Sequence, residues 1–175
     1  MPARHRLLLI LLFPLLATCQ PRGNQEETLV FLVRHAERAD DGGMASEEDP
    51  HLSAAGEERA EVLARMLKDA GITHIHSSDY LRTRETAAPL AAATGLEIHT
   101  YDVRNLESFA AELLATPGRH LVVGHSNSTP DLVAALGGDP FGEIDSMEYD
   151  RLYLVSVGAD GVETVLFRFG APFGG

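Results

Sequence analysis

Short apolar runs alternate with segments of helical periodicity along most of the chain. The runs that are typical of β-strands cover residues 29–34, 72–77, 96–101 and 120–124. The segments between them that favour α-helices cover residues 53–70, 80–94 and 106–115. Two last apolar runs, 151–157 and 162–169, are separated by a short turn sequence and predict a β-hairpin. This order predicts a three-layer α/β/α sandwich around a mixed, mostly parallel sheet.

Residues that begin and end helices support these boundaries. Ser53 is suited to cap the first helix, and Gly71 is suited to end it. Pro130 is expected to be the first residue of a short helix that ends near Leu136, because proline is tolerated in the first helical turn. The chain of 175 residues is therefore expected to form a single folded domain.

The N-terminal segment is predicted to lie outside that domain. Basic residues precede the apolar block 7–17, which is shorter than the roughly 20 residues of a membrane span and resembles a secretory signal. The sequence around Cys19 resembles a bacterial lipobox, in which the cysteine is lipidated. We therefore predict a signal peptide at 1–18, a tether at 19–27 and a domain at 28–170. The protein is expected to be exported, either periplasmic or anchored in a membrane through Cys19.

The charge of the chain limits the partners that its surface can attract. Its 26 acidic residues outnumber 14 basic ones, which gives a formal net charge of −12. Such a surface repels nucleic acid, so we expect no nucleic-acid partner. An anionic ligand would have to be bound by a local cationic pocket.

Polar side chains follow four of the predicted strands, at the point where each strand ends. Arg34 and His35 end the first strand, residues 77–82 follow the second, residues 102–107 follow the third, and His125 follows the very apolar fourth. Ligands of such sheets bind beyond the carboxyl ends of the parallel strands. We therefore expect these side chains to meet at one edge of the sheet.

The residue types at this edge favour phosphoryl chemistry. The planar guanidinium groups of Arg34 and Arg82 match the oxygens of a tetrahedral anion. A neutral imidazole such as that of His35 can attack phosphorus and form a covalent intermediate. A protonated His125 is expected to help the arginines to neutralise the phosphoryl oxygens.

Four sequence blocks at these positions resemble the histidine phosphatase superfamily and its phosphoglycerate-mutase-like fold. The blocks are VRHAE (33–37), LSAAG (52–56), SSDYLRTRETA (77–87) and VVGHSN (122–127). The resemblance implies that His35 is phosphorylated and that Arg34, Arg82 and His125 hold the phosphate. It further implies a small phosphorylated substrate and no metal or other cofactor. Within the family the first block usually has glycine where this chain has Ala36.

Two carboxylates are candidates for the residue that protonates the leaving group. The family commonly places this acid a few residues beyond the third strand, so we predict Glu107, with Asp102 as the alternative. Glu107 also lies in the first turn of a predicted helix, where a carboxylate is stabilising without any catalytic role. Asn127 and Glu37 are expected to support the pocket, and Arg38 is expected at the surface.

Other functions are compatible with parts of the sequence. The pair His74 and His76 on one strand face could bind zinc, but no third ligand is evident nearby in the sequence. Ser126 has the setting of a serine-hydrolase nucleophile, but no histidine follows residue 125 to complete a triad. The sequence thus favours a phosphatase acting on a phosphomonoester through phosphohistidine. A protein phosphohistidine phosphatase and a non-catalytic module that binds a phosphorylated ligand are the alternatives.

Overall fold

A computed structural model of the protein describes residues 27–40 and 49–174. In this part of the chain a six-stranded sheet is covered by four helices. The elements in chain order are β1 (Thr28–Arg34), α1 (Ala54–Leu67), β2 (His74–Ser78), α2 (Leu81–Thr94), β3 (Ile98–Tyr101), α3 (Leu106–Ala115), β4 (Arg119–Gly124), α4 (Ser128–Ala135), β5 (Arg151–Gly158) and β6 (Gly161–Arg168).

The strand order places four strand ends at one edge of the sheet. The order is β3-β2-β4-β1-β5-β6, in which the first four strands are parallel. The pair β5 and β6 forms the expected hairpin, and β5 runs antiparallel to β1. Because of that reversal, the start of β5 lies at the same edge as the end of β1.

The alternation of side chains along the strands produces two apolar layers. Val30 and Leu32 of β1 belong to the cluster that packs under α3 and α4. Val33 faces the opposite side and packs with Leu63 of α1 and Leu90 of α2. The structure therefore confirms the predicted three-layer α/β/α sandwich with a mixed sheet.

The fourth helix begins earlier than its proline suggested. Its first residue is Ser128, so Pro130 is the third helical residue and not the first. Proline fits there because the first N–H groups of a helix have no partner within the helix. The hydroxyl of Ser128, the first residue of α4, accepts from the backbone N–H of His125 (3.0 Å). This bond connects the start of α4 to the end of β4.

A close approach of two backbones fixes α1 against the segment that follows β1. Ser53 caps the helix as predicted, since its hydroxyl accepts from the N–H of Gly56 (3.1 Å). The backbone N–H of Ser53 donates to the carbonyl of Glu37 (3.0 Å). A Cβ at Gly56 would lie 2.2 Å from that same carbonyl oxygen. Glycine is therefore required at the end of the LSAAG block for steric reasons.

Several predictions fall outside the described residues. They are the signal peptide, the cysteine at position 19 and most of the tether. None of the helices in the described ranges has the length and apolar character needed to cross a membrane.

Candidate active site

His35 lies at the end of β1 with one ring nitrogen fixed by the backbone. Its backbone N–H donates to the carbonyl of Gly124 on β4 (2.9 Å), and its side chain is 4% exposed. The ring Nδ1 lies 2.8 Å from the carbonyl oxygen of Ala36. A carbonyl can only accept, so Nδ1 carries the proton and Nε2 keeps its lone pair.

The surroundings of His35 keep the ring neutral. Burial, and then the positive charges of Arg34 and Arg82, lower its pKa from 6.5 to about 3, although the bond to Ala36 acts in the opposite direction. At neutral pH the ring therefore has an unprotonated Nε2, as a nucleophile requires.

Arg34 is oriented by a segment that is distant in the sequence. Its Nη1 donates to the carbonyls of Asp145 (2.9 Å) and Glu148 (3.1 Å). The ring of Tyr149 stacks on the guanidinium with its centroid 4.0 Å from Cζ, and it also lies 6.0 Å from the His35 ring. These contacts could not be predicted from the sequence, because residues 145–149 belong to none of the four blocks.

Arg82 enters the site from the first turn of α2. Its Nη1 donates to Asp49 (3.2 Å), which also accepts from the N–H of Leu81, and its guanidinium lies 4.4 Å from the Tyr80 ring centroid. The buried Nε of Arg82 has no hydrogen-bond partner in the described part of the chain. A buried donor of this kind is costly unless a ligand oxygen accepts from it.

His125 follows β4 and contacts the end of β2. Ser78 Oγ donates to Thr83 Oγ1 (3.0 Å), so its 2.9 Å contact with His125 Nε2 is one in which the imidazole donates. The ring packs edge-on against Tyr80 (5.0 Å between centroids) and His35 (5.4 Å). Ser78 and Tyr80 belong to a block that the sequence singled out, but neither was predicted as a site residue.

The protonation state of His125 differs from the prediction. Burial, followed by the charges of Arg82 and Arg34, lowers its pKa to about 4, so the ring is neutral at pH 7 when no anion is bound. The residues around the ring therefore do not favour the expected protonated form at neutral pH. A bound dianion would act in the opposite direction and raise this pKa.

These side chains line one open cleft of about 490 Å³. The predicted residues that it contains are Arg34, His35, Arg82, His125 and Asn127. The cleft also contains Ser126, Arg104 and Arg38, although Arg38 was expected to be a surface residue. The structure thus brings together residues from all four predicted strand ends and adds Ser146 from the segment before β5.

Neither predicted proton donor lies in this cleft. Glu107 is exposed in the first turn of α3, because that helix buries the face of Phe109 and Ala110 instead. Asp102 is exposed and accepts from Arg104 (3.0 and 3.1 Å), whose hydrogen bonds lower the pKa of Asp102. No carboxylate from residues 27–40 or 49–174 lines the cleft.

Glu37 supports the site from outside the cleft. Its carboxylate accepts two bonds from Nε of Arg59 (3.0 Å each) and one from its Nη2 (2.7 Å). Arg59 also donates to the carbonyls of Phe169 and Ala171. Glu37 therefore connects the segment after His35 to α1 and to the C-terminal segment.

The predicted histidine pair on β2 belongs to a larger cluster. His74 and His76 pack with His120 of β4, and His76 also lies near His99 of β3. Nε2 of His76 lies 3.1 Å from Nδ1 of His120. Within the described ranges, however, no three histidine, cysteine or acidic side chains are arranged to hold a metal ion.

The fold and the cleft define an α/β protein with an oxyanion-type pocket at the carboxyl ends of parallel strands. Residues 30–103 match the model of the histidine phosphatase superfamily (branch 1). The matched residues are similar to this superfamily, and the fold of the chain is phosphoglycerate-mutase-like.

Similar proteins include curated sequences and solved structures. A probable phosphoglycerate mutase, GpmB of Yersinia enterocolitica, is 41% identical over 73 residues, which are 41% of this chain and 34% of the relative. The matched region thus spans about a third of that relative. The α-ribazole phosphatase of Shigella flexneri superposes with a TM-score of 0.67 at 16% identity, covering 81% of this chain and 96% of that one. A putative phosphohistidine phosphatase, SixA of Agrobacterium tumefaciens, has a TM-score of 0.61 at 23% identity, covering 83% and 99%.

Proposed function

We propose that this protein is a phosphatase that hydrolyses a small phosphomonoester through a phosphohistidine at His35. The observation that carries the proposal is the buried, neutral His35 ring, whose Nε2 is the unprotonated nitrogen, in a cleft shared with Arg34 and Arg82. The match of residues 30–103 to the histidine phosphatase model and the fold likeness to an α-ribazole phosphatase support the same function.

The proposed reaction has two substitutions at phosphorus. His35 Nε2 forms a bond to phosphorus while the bond to the leaving oxygen breaks and that oxygen takes up a proton. Arg34, Arg82 and His125 donate to the phosphoryl oxygens as their charge shifts. Water then attacks the phosphohistidine, gives up a proton, and releases inorganic phosphate and neutral His35.

Hydrolysis of an aryl phosphate tests the proposal directly. The wild-type protein is expected to release nitrophenol from nitrophenyl phosphate with or without EDTA, and His35→Ala is expected to release none. Acid-labile, base-stable label from ³²P-substrate should be trapped on the wild type only. Full activity of His35→Ala would contradict the mechanism, and phosphate binding without turnover would favour a non-catalytic binding module.

A protein phosphohistidine phosphatase is the second candidate, and the cleft itself favours it. In the described residues no carboxylate lines the cleft, and an imidazole leaving group depends less on a strong acid than an alkoxide does. The fold likeness to SixA agrees with this reading. The predicted export of the protein argues against it, because histidine-phosphorylated carriers are mostly cytoplasmic.

Comparison of three substrates separates the candidates. A phosphomonoesterase should hydrolyse both an aryl phosphate and an alkyl phosphate such as glycerol phosphate. A phosphohistidine phosphatase should prefer a phosphohistidine peptide and leave the alkyl phosphate almost unchanged. Because Glu107 and Asp102 lie outside the cleft, Glu107→Gln should leave all three rates unchanged, and a loss confined to the alkyl phosphate would contradict this placement.

A further inference from the structure

A short turn before β5 supplies both carbonyls that orient Arg34. The carbonyl of Asp145 accepts from Arg34 Nη1 (2.9 Å) and from the backbone N–H of Glu148 (3.0 Å). The carbonyl of Glu148 accepts from the same Nη1 (3.1 Å). The direction of the Arg34 side chain therefore depends on the shape of this turn.

The side chain of Glu148 closes the turn from the inside. It is 4% exposed, and its Oε2 accepts from the backbone N–H of Asp145 (3.1 Å). Its Oε1 accepts from Nε of Arg151 (2.7 Å) and from Nη1 of Arg168 (2.5 Å). Three donors thus converge on one carboxylate, and two of them are charged.

The carboxylate of Glu148 is ionised at neutral pH. Burial acts to raise its pKa, but the hydrogen bonds from Arg151 and Arg168 lower it to about 2. An amide could not replace it, because glutamine has one oxygen for the three donors and would direct its NH₂ at one of them.

We propose that Glu148 is a positioning residue for Arg34, which it aims at the phosphoryl group by holding the carbonyls of Asp145 and Glu148 in place. The inference rests on the proposed phosphate pocket, although its test does not require turnover. Glu148 makes no contact with the cleft itself and acts only through the turn. Loss of its carboxylate should let the two carbonyls move and should weaken binding of a tetrahedral anion.

Asp150 offers a matched control two residues away. It is equally buried (4%), and its carboxylate accepts from Arg168 (2.6 Å) and from the N–H of Phe173 (3.1 Å). Asp150 shares the donor Arg168 with Glu148, but unlike Glu148 it holds the C-terminal segment and does not accept from the backbone N–H of Asp145. Asp150→Asn should therefore cost stability without changing anion binding.

Binding of inorganic phosphate and orthovanadate to the full-length protein tests the proposal. The dissociation constant of phosphate, measured by calorimetry, should rise about 5- to 20-fold in Glu148→Gln, as expected for the loss of one charge-assisted hydrogen bond at Arg34. Vanadate inhibition should weaken at least as much, whereas Asp150→Asn should keep both constants. In an Arg34→Lys background, Glu148→Gln should have little further effect.

Other results of these binding measurements would overturn the role of Glu148 or the phosphatase function. Unchanged phosphate binding in folded Glu148→Gln would overturn the proposal, and so would an equal loss in Asp150→Asn. If Glu148→Gln is unstable, Glu148→Asp replaces it, and wild-type phosphate affinity in that variant would also overturn the proposal. Phosphate binding in a wild type without turnover would overturn the phosphatase function alone.

Discussion

Substitution of Gly56 by Ala should distort the segment that carries His35. The new methyl would lie 2.2 Å from the carbonyl oxygen of Glu37, whereas Cβ atoms do not approach within 3.0 Å of other atoms. The helix and the segment must therefore separate by about 0.8 Å or more, in a region that is close-packed. Glu37 is only two residues from His35, so the shift should reach the nucleophile.

Two opposing effects decide the magnitude. Alanine favours a helix over glycine by about 1 kcal/mol, which would stabilise α1. Overpacking of a tight site costs typically about 1–3 kcal/mol, and the bond from Ser53 to the Glu37 carbonyl would lose about 1 kcal/mol more. The net loss should be about 1–3 kcal/mol, which lowers Tm by roughly 2–12 °C. A misplacement near 1 Å can also lower kcat/KM by up to about 100-fold.

Thermal unfolding and aryl phosphate hydrolysis measure both effects, with Gly95→Ala as the control. Gly95 ends α2 at a φ of +72° with no atom within 4 Å of a new Cβ, so its loss is purely conformational, roughly 1–2 kcal/mol. It should lower Tm while kcat/KM stays unchanged. A Tm of Gly56→Ala at or above the wild-type value would refute the steric argument. A lower Tm with wild-type kcat/KM would refute the link to His35.

Three further predictions concern pH, the second histidine and export. His76 has a pKa lowered to about 3 by burial and by its histidine neighbours, so the unfolded chain binds protons first and stability should fall from pH 6.5 toward pH 3. In denaturant titrations at pH 7.5 and 5, His76→Gln should reduce this pH dependence, and an unchanged slope would contradict the assignment. Ser78→Ala should lower kcat/KM about 5- to 15-fold by removing the partner of His125. Ser77→Ala should leave kcat/KM unchanged, because the hydroxyl of Ser77 donates to the carbonyl of residue 78. Equal effects of the two substitutions would rule out this role of Ser78. We also propose that Cys19 anchors the exported protein: Cys19→Ser should move it from the membrane fraction to the soluble fraction, and no change would contradict lipidation.

Local pattern was sufficient to predict most of the architecture. Among the described residues, the period of apolar residues located the six strands and the first three helices, since a strand buries alternate residues and a helix buries every third or fourth. Pro130 indicated the fourth helix. Bounds were less accurate where capping decides them, as at the start of α4, where Ser128 binds the end of β4. The clustering of Arg34, His35, Arg82 and His125 also followed, because carboxyl ends of parallel strands share one edge of the sheet.

The sequence by itself thus determined the layers of the fold and the four central residues of the cleft. Tertiary structure alone decided how those residues are held and which carboxylates stay away. Glu148 and Tyr149 lie more than 110 residues from Arg34, and no local pattern encodes a contact that depends on where the chain returns to the sheet. Glu107 lies about as far beyond β3 in the sequence as the proton donor was expected to lie. Its side chain nevertheless points to solvent, because α3 buries a different face. Spacing along a chain predicts which strand end a residue follows, whereas its side-chain direction depends on what packs around it.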